Sequence, residues 1–342
     1  MTTTRVPLAR LSRHRIRTAA GHEVGVALAG AGMPLVVAHG FAAQGVLYSQ
    51  TLSRLVSMGF KVVAVDMPGH GSTPLPRLPA VSMAAYVERT ADAIDALGIR
   101  RAVFMGHSMG GRVMAELAAG RPDSCAALVL VDAALGRAWD VQMHSLRHRP
   151  VAWGAMAAKL VCDTLAIADP SDPGQTLRIL SLFLGPSLSS RPWRLLPAAG
   201  ALLAAPSSDE VLGRLADAGV ATVVVNGDED RLVTMESARD AADRLGADLV
   251  AVRGGHHSWM LNDPETLPAI VADLLNGTLG DAWQAAVAEA GLDPAVATLP
   301  DIERAFLTEN ALASFLAPPV EFVGAATRKP ARYRWEQISP AA

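Results

Sequence analysis

Arg101-Ala-Val-Phe-Met-Gly-His-Ser-Met-Gly-Gly-Arg-Val-Met-Ala-Glu-Leu-Ala-Ala119 is an apolar run, a Gly-His-Ser-Met-Gly-Gly sextet and an amphipathic helical pattern, in that order. The order reads as strand, tight turn, helix. A Gly-x-Ser-x-Gly match alone arises in roughly one chain in ten of this length from average Gly and Ser usage, so the flanking pattern carries the reading. Gly106 and Gly110 stand where a strand reverses into a helix. Lacking side chains, they let the helix close on the strand while Ser108 takes a strained backbone conformation. Such a turn lifts the Ser108 hydroxyl out of the sheet edge, and the Met109 amide at the helix start points towards any oxyanion formed on an acylated Ser108. The alternative is an ordinary Gly-rich strand–helix connection, and the rest of the chain decides between them.

Outward from this stretch the same rhythm repeats. Met33–Ala38 and Lys61–Val65 are compact apolar runs on the amino-terminal side, separated by a helical pattern over Ser49–Met58 that Gly59 ends. Ser82 opens a further helix that runs to Gly98, and Ala127–Val131 follows the Ser108 helix. Alternating strands and helices predict a mostly parallel sheet with helices on both faces. From Ala133 to Ala218 no strand pattern occurs, and Ala, Leu, Met, Trp and Pro dominate, which predicts a helical insertion. Ala221–Val225 resumes the sheet, followed by a helix over Met235–Leu245 and a last strand over Asp248–Val252. Four segments are expected: a first core part at 1–134, a helical cap at 135–218, a second core part at 219–277, and a carboxy-terminal extension at 278–342. The extension carries helical patterns over Asp281–Gly291 and Pro300–Leu316 and ends in the basic stretch Arg328–Trp335.

With 342 residues and 51% hydrophobic content, the chain can bury a large core, best read as one domain with additions. Thirty basic residues against 33 acidic ones give a net charge of −3, which excludes a general affinity for nucleic acid or anionic membrane. Cys125 and Cys162 read as reduced packing residues, and cytoplasm is the expected compartment. Met1–Arg17 holds five arginines and no apolar core segment, so it does not read as a secretory signal. Leu195–Ala205, the longest apolar stretch, is broken by Pro197 and Gly200, and no membrane span is expected. Metal and nucleotide motifs are missing, so no cofactor and no metal are expected.

A serine hydroxyl needs a base to take its proton, and an imidazole does this best with a carboxylate behind it. In a parallel sheet such groups converge at the carboxyl ends of neighbouring strands. Asp230, after the Ala221–Val225 run, and His257, after Asp248–Val252, both fall there, in the order Ser, Asp, His. Asp132 is a rival for the carboxylate, and His256 adjoins His257. His39, His70 and His107 read as loop-packing residues.

These motifs together resemble the α/β-hydrolases of the capped, serine-nucleophile type, over roughly residues 14–276. The matching features are His39-Gly-Phe41, Asp66-Met-Pro-Gly-His-Gly71, Gly106-His-Ser-Met-Gly-Gly111, Gly227-Asp-Glu-Asp230, and His257 seven residues ahead of Pro264. The resemblance implies Ser108 as nucleophile, His257 as base, Asp230 as its orienter, and the amides of Phe41 and Met109 as an oxyanion hole. It implies hydrolysis of a small or medium hydrophobic ester without a cofactor. C–C bond, lactone and amide hydrolysis are the rivals within that class, and a non-catalytic binding protein on the same fold is the rival outside it. Trp139, Trp153 and Trp193 of the cap are expected to line the substrate pocket; Arg137, Arg147 and Arg149 near its entrance, and Arg191 deeper in, are the cations available to a substrate carboxylate, as the C–C hydrolase rival would require. A homodimer is the assembly considered, although the sequence does not fix the oligomeric state.

Overall fold

A computed structural model of the chain describes residues 5–41, 43–75, 82–149, 151–166, 195–317, 322–327 and 330–338, with 174 and 177 singly. Strand β1 (Arg5–Ala9) precedes an antiparallel hairpin of β2 (Ser12–Arg17) and β3 (Glu23–Ala29). Then come β4 (Met33–Ala38), α1 (Ser49–Val56), β5 (Phe60–Val65), α2 (Met83–Leu97), β6 (Ala102–His107), α3 (Met109–Gly120) and β7 (Cys125–Val131). Local chemistry sets the ends of α2. The Ser82 side chain accepts the Ala85 N–H at its start, and Gly98, at φ 74°, takes the left-handed conformation at its end.

Among the described residues of the expected cap lie four helices: α4 (Arg137–His148), α5 (Val151–Ala166), α6 (Leu195–Ala204) and α7 (Ser208–Asp217). The sheet resumes with β8 (Thr222–Gly227), α8 (Met235–Leu245), β9 (Asp248–Val252), the short α9 (Trp259–Asn262) and α10 (Thr266–Leu274). The main sheet has nine strands in the order β2-β3-β5-β4-β6-β7-β8-β9 and a ninth from the extension, with β5 through β9 all parallel. Each of the central strands β4 to β8 is buried along its whole length, as continuous Val- and Leu-rich runs covered on both faces must be. One core layer joins the sheet to α2, α3 and α8, and the other joins it to α1 and α10.

The extension departs from a purely helical reading. It holds α11 (Thr278–Glu289), α12 (Leu299–Phe306) and α13 (Leu312–Leu316), and then two strands, β10 (Phe322–Thr327) and β11 (Trp335–Ile338). The expected single helix over Pro300–Leu316 is two, because Leu307 forms an antiparallel bridge with Ile99 and Asn310 turns the chain at φ 58°. β10 pairs with β1, Arg5 facing Thr327, and β11 pairs with β9 as the ninth strand, Trp335 facing Val252. The described part of the basic stretch is therefore docked on the chain itself. The Arg332 N–H donates to Asp263 Oδ2 at 2.8 Å, and Trp335 Nε1 donates to Asp273 Oδ2 at 2.9 Å. Leu279, Val287, Ile302 and Phe306 enter the core layer under α1 and α10. Cys125 is buried, as expected, but Cys162 is exposed on α5, which corrects its reading as a packing residue.

Candidate active site

The turn between β6 and α3 is held by close backbone approaches. A Cβ on Gly106 would stand 2.3 Å from the Gly110 carbonyl oxygen, and one on Gly110 would stand 2.3 Å from that of Ala38. No side chain fits in either place. Between them Ser108 has φ 55° and ψ −119°, outside the regions open to an unstrained side chain, at the start of α3. The Ser108 N–H donates to the Val131 carbonyl at 3.0 Å, and the Ser108 carbonyl accepts from Ala134 N–H at 3.0 Å, which fastens the strained residue to the end of β7.

His257 and Asp230 meet Ser108 across the ends of β6, β8 and β9. His257 Nδ1–H donates to Asp230 Oδ2 at 2.7 Å, and Nε2 on the other side of the ring accepts the Ser108 hydroxyl at 2.9 Å. The second oxygen of Asp230 accepts the backbone N–H groups of Leu232 and Val233 at 2.7 and 2.9 Å, so the carboxylate is fixed before it meets the ring. Burial opposes charging of His257; Asp230, by charge and hydrogen bond, with Asp132 and Asp163, outweighs it and raises the imidazole from 6.5 to about 9.

The rival groups are placed elsewhere. Asp132 is fully buried and does not touch His257; its oxygens accept Gly227 N–H at 2.8 Å and Trp259 Nε1–H at 2.7 Å. Burial first, and Asp230 second, raise its carboxyl well above the usual range. His256 turns to Glu229, 3.4 Å away. His39 and His107 are neutral struts. His39 Nε2 accepts Met67 N–H at 3.0 Å while Nδ1 donates to the Gly40 carbonyl at 2.8 Å. His107 Nε2 faces the His257 carbonyl at 2.9 Å and must donate to it, so Nδ1 accepts the Tyr48 hydroxyl at 2.9 Å.

Met109 follows Ser108 in the chain, and Phe41 follows Gly40. Met109 opens α3, where first-turn N–H groups lack intrahelical acceptors. A Cβ on Gly40 would lie 3.3 Å from Ser108 Cβ, so the His39–Phe41 turn runs directly against the serine. A hydroxyl bonded to a carboxylate-backed imidazole is the arrangement that serves acyl transfer.

The model of the alpha/beta hydrolase fold family matches residues 33–264. The chain is an alpha/beta hydrolase. It is 35% identical over 269 residues, 77% of this chain and 94% of the other, to a protein of Mycobacterium phage D29 provisionally named a non-heme haloperoxidase. Its fold is shared with an esterase of Rhodococcus sp. ECU1013 (TM-score 0.62, 24% identity, 78% of this chain and 99% of that one) and with a thermophilic esterase of Thermogutta terrifontis (TM-score 0.61, 22% identity, 78% and 98%). No helix among the described residues of the hydrolase is long and apolar enough to cross a membrane.

The three tryptophans of the expected cap fare differently. Trp139 is buried in a small cluster with Met143, Leu146 and Val233 and borders a cleft of about 700 Å³ whose lining does not include Ser108. Trp153 lies on α5 and is 47% exposed. Trp193 and Arg191 lie outside the described residues. Sequence reasoning passed over Tyr48, Lys159 and Asp163. For the last two a signal existed, because both lie on the stripe of α5 that begins with the inward-facing Ala152 and Met156.

Proposed function

We propose that this hydrolase is a serine esterase acting on small or medium hydrophobic carboxylic esters. The observation that carries the reading is the unbroken chain from Asp230 through His257 to Ser108, with Ser108 in strained backbone geometry. In this reading Ser108 Oγ attacks the ester carbonyl as His257 Nε2 takes its proton, and the amides of Phe41 and Met109 receive the developing oxyanion. The imidazolium returns the proton to the leaving alcohol, and water then cleaves the acyl-enzyme by the same route. Two unpaired cysteines suit a cytoplasmic enzyme.

A panel of p-nitrophenyl esters of rising acyl length, run beside a lactone, an amide and a vinylogous diketone, tests it. Ester turnover should exceed the others, kcat/KM should climb with each methylene by at most about 10–200-fold, or about 1–3 kcal/mol of transition-state binding, until the pocket is full, and Ser108→Ala should abolish it. Full turnover by Ser108→Ala, or preference for the diketone, would reject the reading.

The name of the phage relative favours a second reading, in which peroxide replaces water. Ser108 Oγ is acylated by the carboxylic acid with loss of water, hydrogen peroxide attacks the acyl carbon as His257 takes its proton, Ser108 leaves with that proton, and the released peracid passes one oxygen to halide, giving hypohalous acid and the carboxylate. Bromination that requires both acetate and peroxide, and that Ser108→Ala lacks, would establish it.

A further inference from the structure

The described half-buried positions of α5 are Ala152, Met156, Lys159, Asp163 and Ala166, whose steps of four, three, four and three keep them on one face. Trp153, Leu160 and Cys162 are exposed beside them. Ala152 and Met156 use that face for packing against the Trp139 cluster. The next two positions carry charges, and a helix turns a charge inward only where a partner meets it.

Asp163 is met by Ser258. Its Oδ1 accepts the Ser258 backbone N–H at 3.2 Å and its Oδ2 accepts the Ser258 hydroxyl at 2.6 Å. One helical step on, the Ala166 carbonyl accepts Asn262 Nδ2–H at 2.9 Å. The last turn of the cap helix is thus fastened at two points to the segment that follows His257. From the opposite side, His107 Nε2–H donates to the His257 carbonyl at 2.9 Å. The peptide unit joining His257 to Ser258 is planar, so its carbonyl and its N–H turn together. The core holds the first and the cap holds the second.

We propose that Asp163 is a positioning residue for His257: by accepting both donors of Ser258 it fixes the peptide plane from which the imidazole hangs, and it completes that alignment only when the cap is seated. The proposal rests on the reading of His257 as the general base. The groups facing His257 from the core are Asp230, Asp132, Ser108 and the neutral His107. From the cap come Asp163 and, on the same stripe, Lys159, whose ammonium is held by Gln142 Oε1 of α4. The carboxylate of Asp163 adds to the charge that favours the imidazolium.

The test uses the full chain and one p-nitrophenyl ester, with Asp163→Asn, Ser258→Ala and the double variant. Asp163→Asn keeps the side-chain shape, and Ser258→Ala keeps every charge, so one of the two is available if the other folds poorly. Both should lower kcat and the rate of Ser108 phosphonylation by a fluorophosphonate by roughly 10–100-fold, the scale of a small misplacement of a reacting group, with KM little changed. The double variant should be no worse than Asp163→Asn, because both act on the bond from the Ser258 hydroxyl to the Asp163 carboxylate, which Asp163→Asn has already removed. The acid limb of kcat/KM should move to lower pH in Asp163→Asn and stay in place in Ser258→Ala, a split that loss of packing alone would not produce. Unchanged kcat and an unmoved limb in Asp163→Asn, or losses that simply add in the double variant, would overturn the proposal. Retained turnover in Ser108→Ala would instead remove the general-base reading on which it stands.

Discussion

At the scale of the residue, the chemistry turns on which carboxylate backs the imidazole. Asp230 bonds to His257 Nδ1 with one oxygen and is itself held by two backbone amides, whereas Asp132 spends both oxygens on Gly227 and Trp259. Asp230→Asn should therefore cut kcat about 10⁴-fold by presenting the wrong tautomer, and Asp132→Asn should act chiefly on stability. Ester kinetics beside a denaturant titration of each variant check this ranking, and the reverse order would reassign the acid. Because His257 is raised above 6.5, kcat/KM of the unaltered enzyme should still be rising with pH at neutrality. The positions of Ser108, Asp230 and His257 were legible in the sequence because turn glycines and strand ends are local signals. For Asp163 only the helical stripe was legible; its partner Ser258 was not, because it lies on another element and nothing in the spacing of an Ala-rich helix says which loop the helix covers.

At the scale of the element, α12 is tied into the core by charge as well as by apolar packing. Lys61, on the fully buried strand β5, has its ammonium 3.0 Å from Glu303 Oε1, and only 2% of its side chain is exposed. Glu303→Ala would leave that buried ammonium, which also donates to the Ala313 carbonyl, without its counter-charge, and should cost about 3–5 kcal/mol of unfolding free energy, read from the urea midpoint. Lys61→Met with Glu303→Leu should recover much of the loss. The alternation of strand and helix was plain from the chain because long Val and Leu runs and Gly-capped amphipathic patterns have distinct periods. β10 and β11 escaped notice for a physical reason. Phe-Val-Gly-Ala-Ala-Thr and Trp-Glu-Gln-Ile are short, carry Gly, Ala and polar residues, and become strands only by pairing with β1 and β9.

At the scale of the whole molecule, three buried imidazoles set a limit on acid tolerance. Burial is the leading cause that lowers His39 to about 4 and His70 and His107 to about 3, so each is neutral in the folded chain while its unfolded form protonates near 6.5. The unfolded state then binds more protons as pH falls through 6.5, so the stability these groups contribute is intact above 6.5 and lost towards 4. Three such groups give a slope of about 4 kcal/mol per pH unit across that window. His257 has the opposite sign. Raised to about 9, it stabilises the fold fully below 6.5 and loses that contribution as pH rises, so it adds no slope in acid. Urea titrations between pH 6 and 4.5 should show the slope, and His39→Gln should remove about a third of it.

The pairing of β1 with β10, and of β9 with β11, has a consequence for how the chain is made. Arg5 waits for Thr327, and Val252 waits for Trp335. During synthesis from the amino end, β1 emerges long before β10, its strand partner among the described residues, and β9 stands as an open, apolar sheet edge until β11 is released. A nascent chain halted before residue 322 therefore exposes two unsatisfied strand edges at once, and these are the surfaces on which a chaperone would hold it or a second stalled chain would adhere.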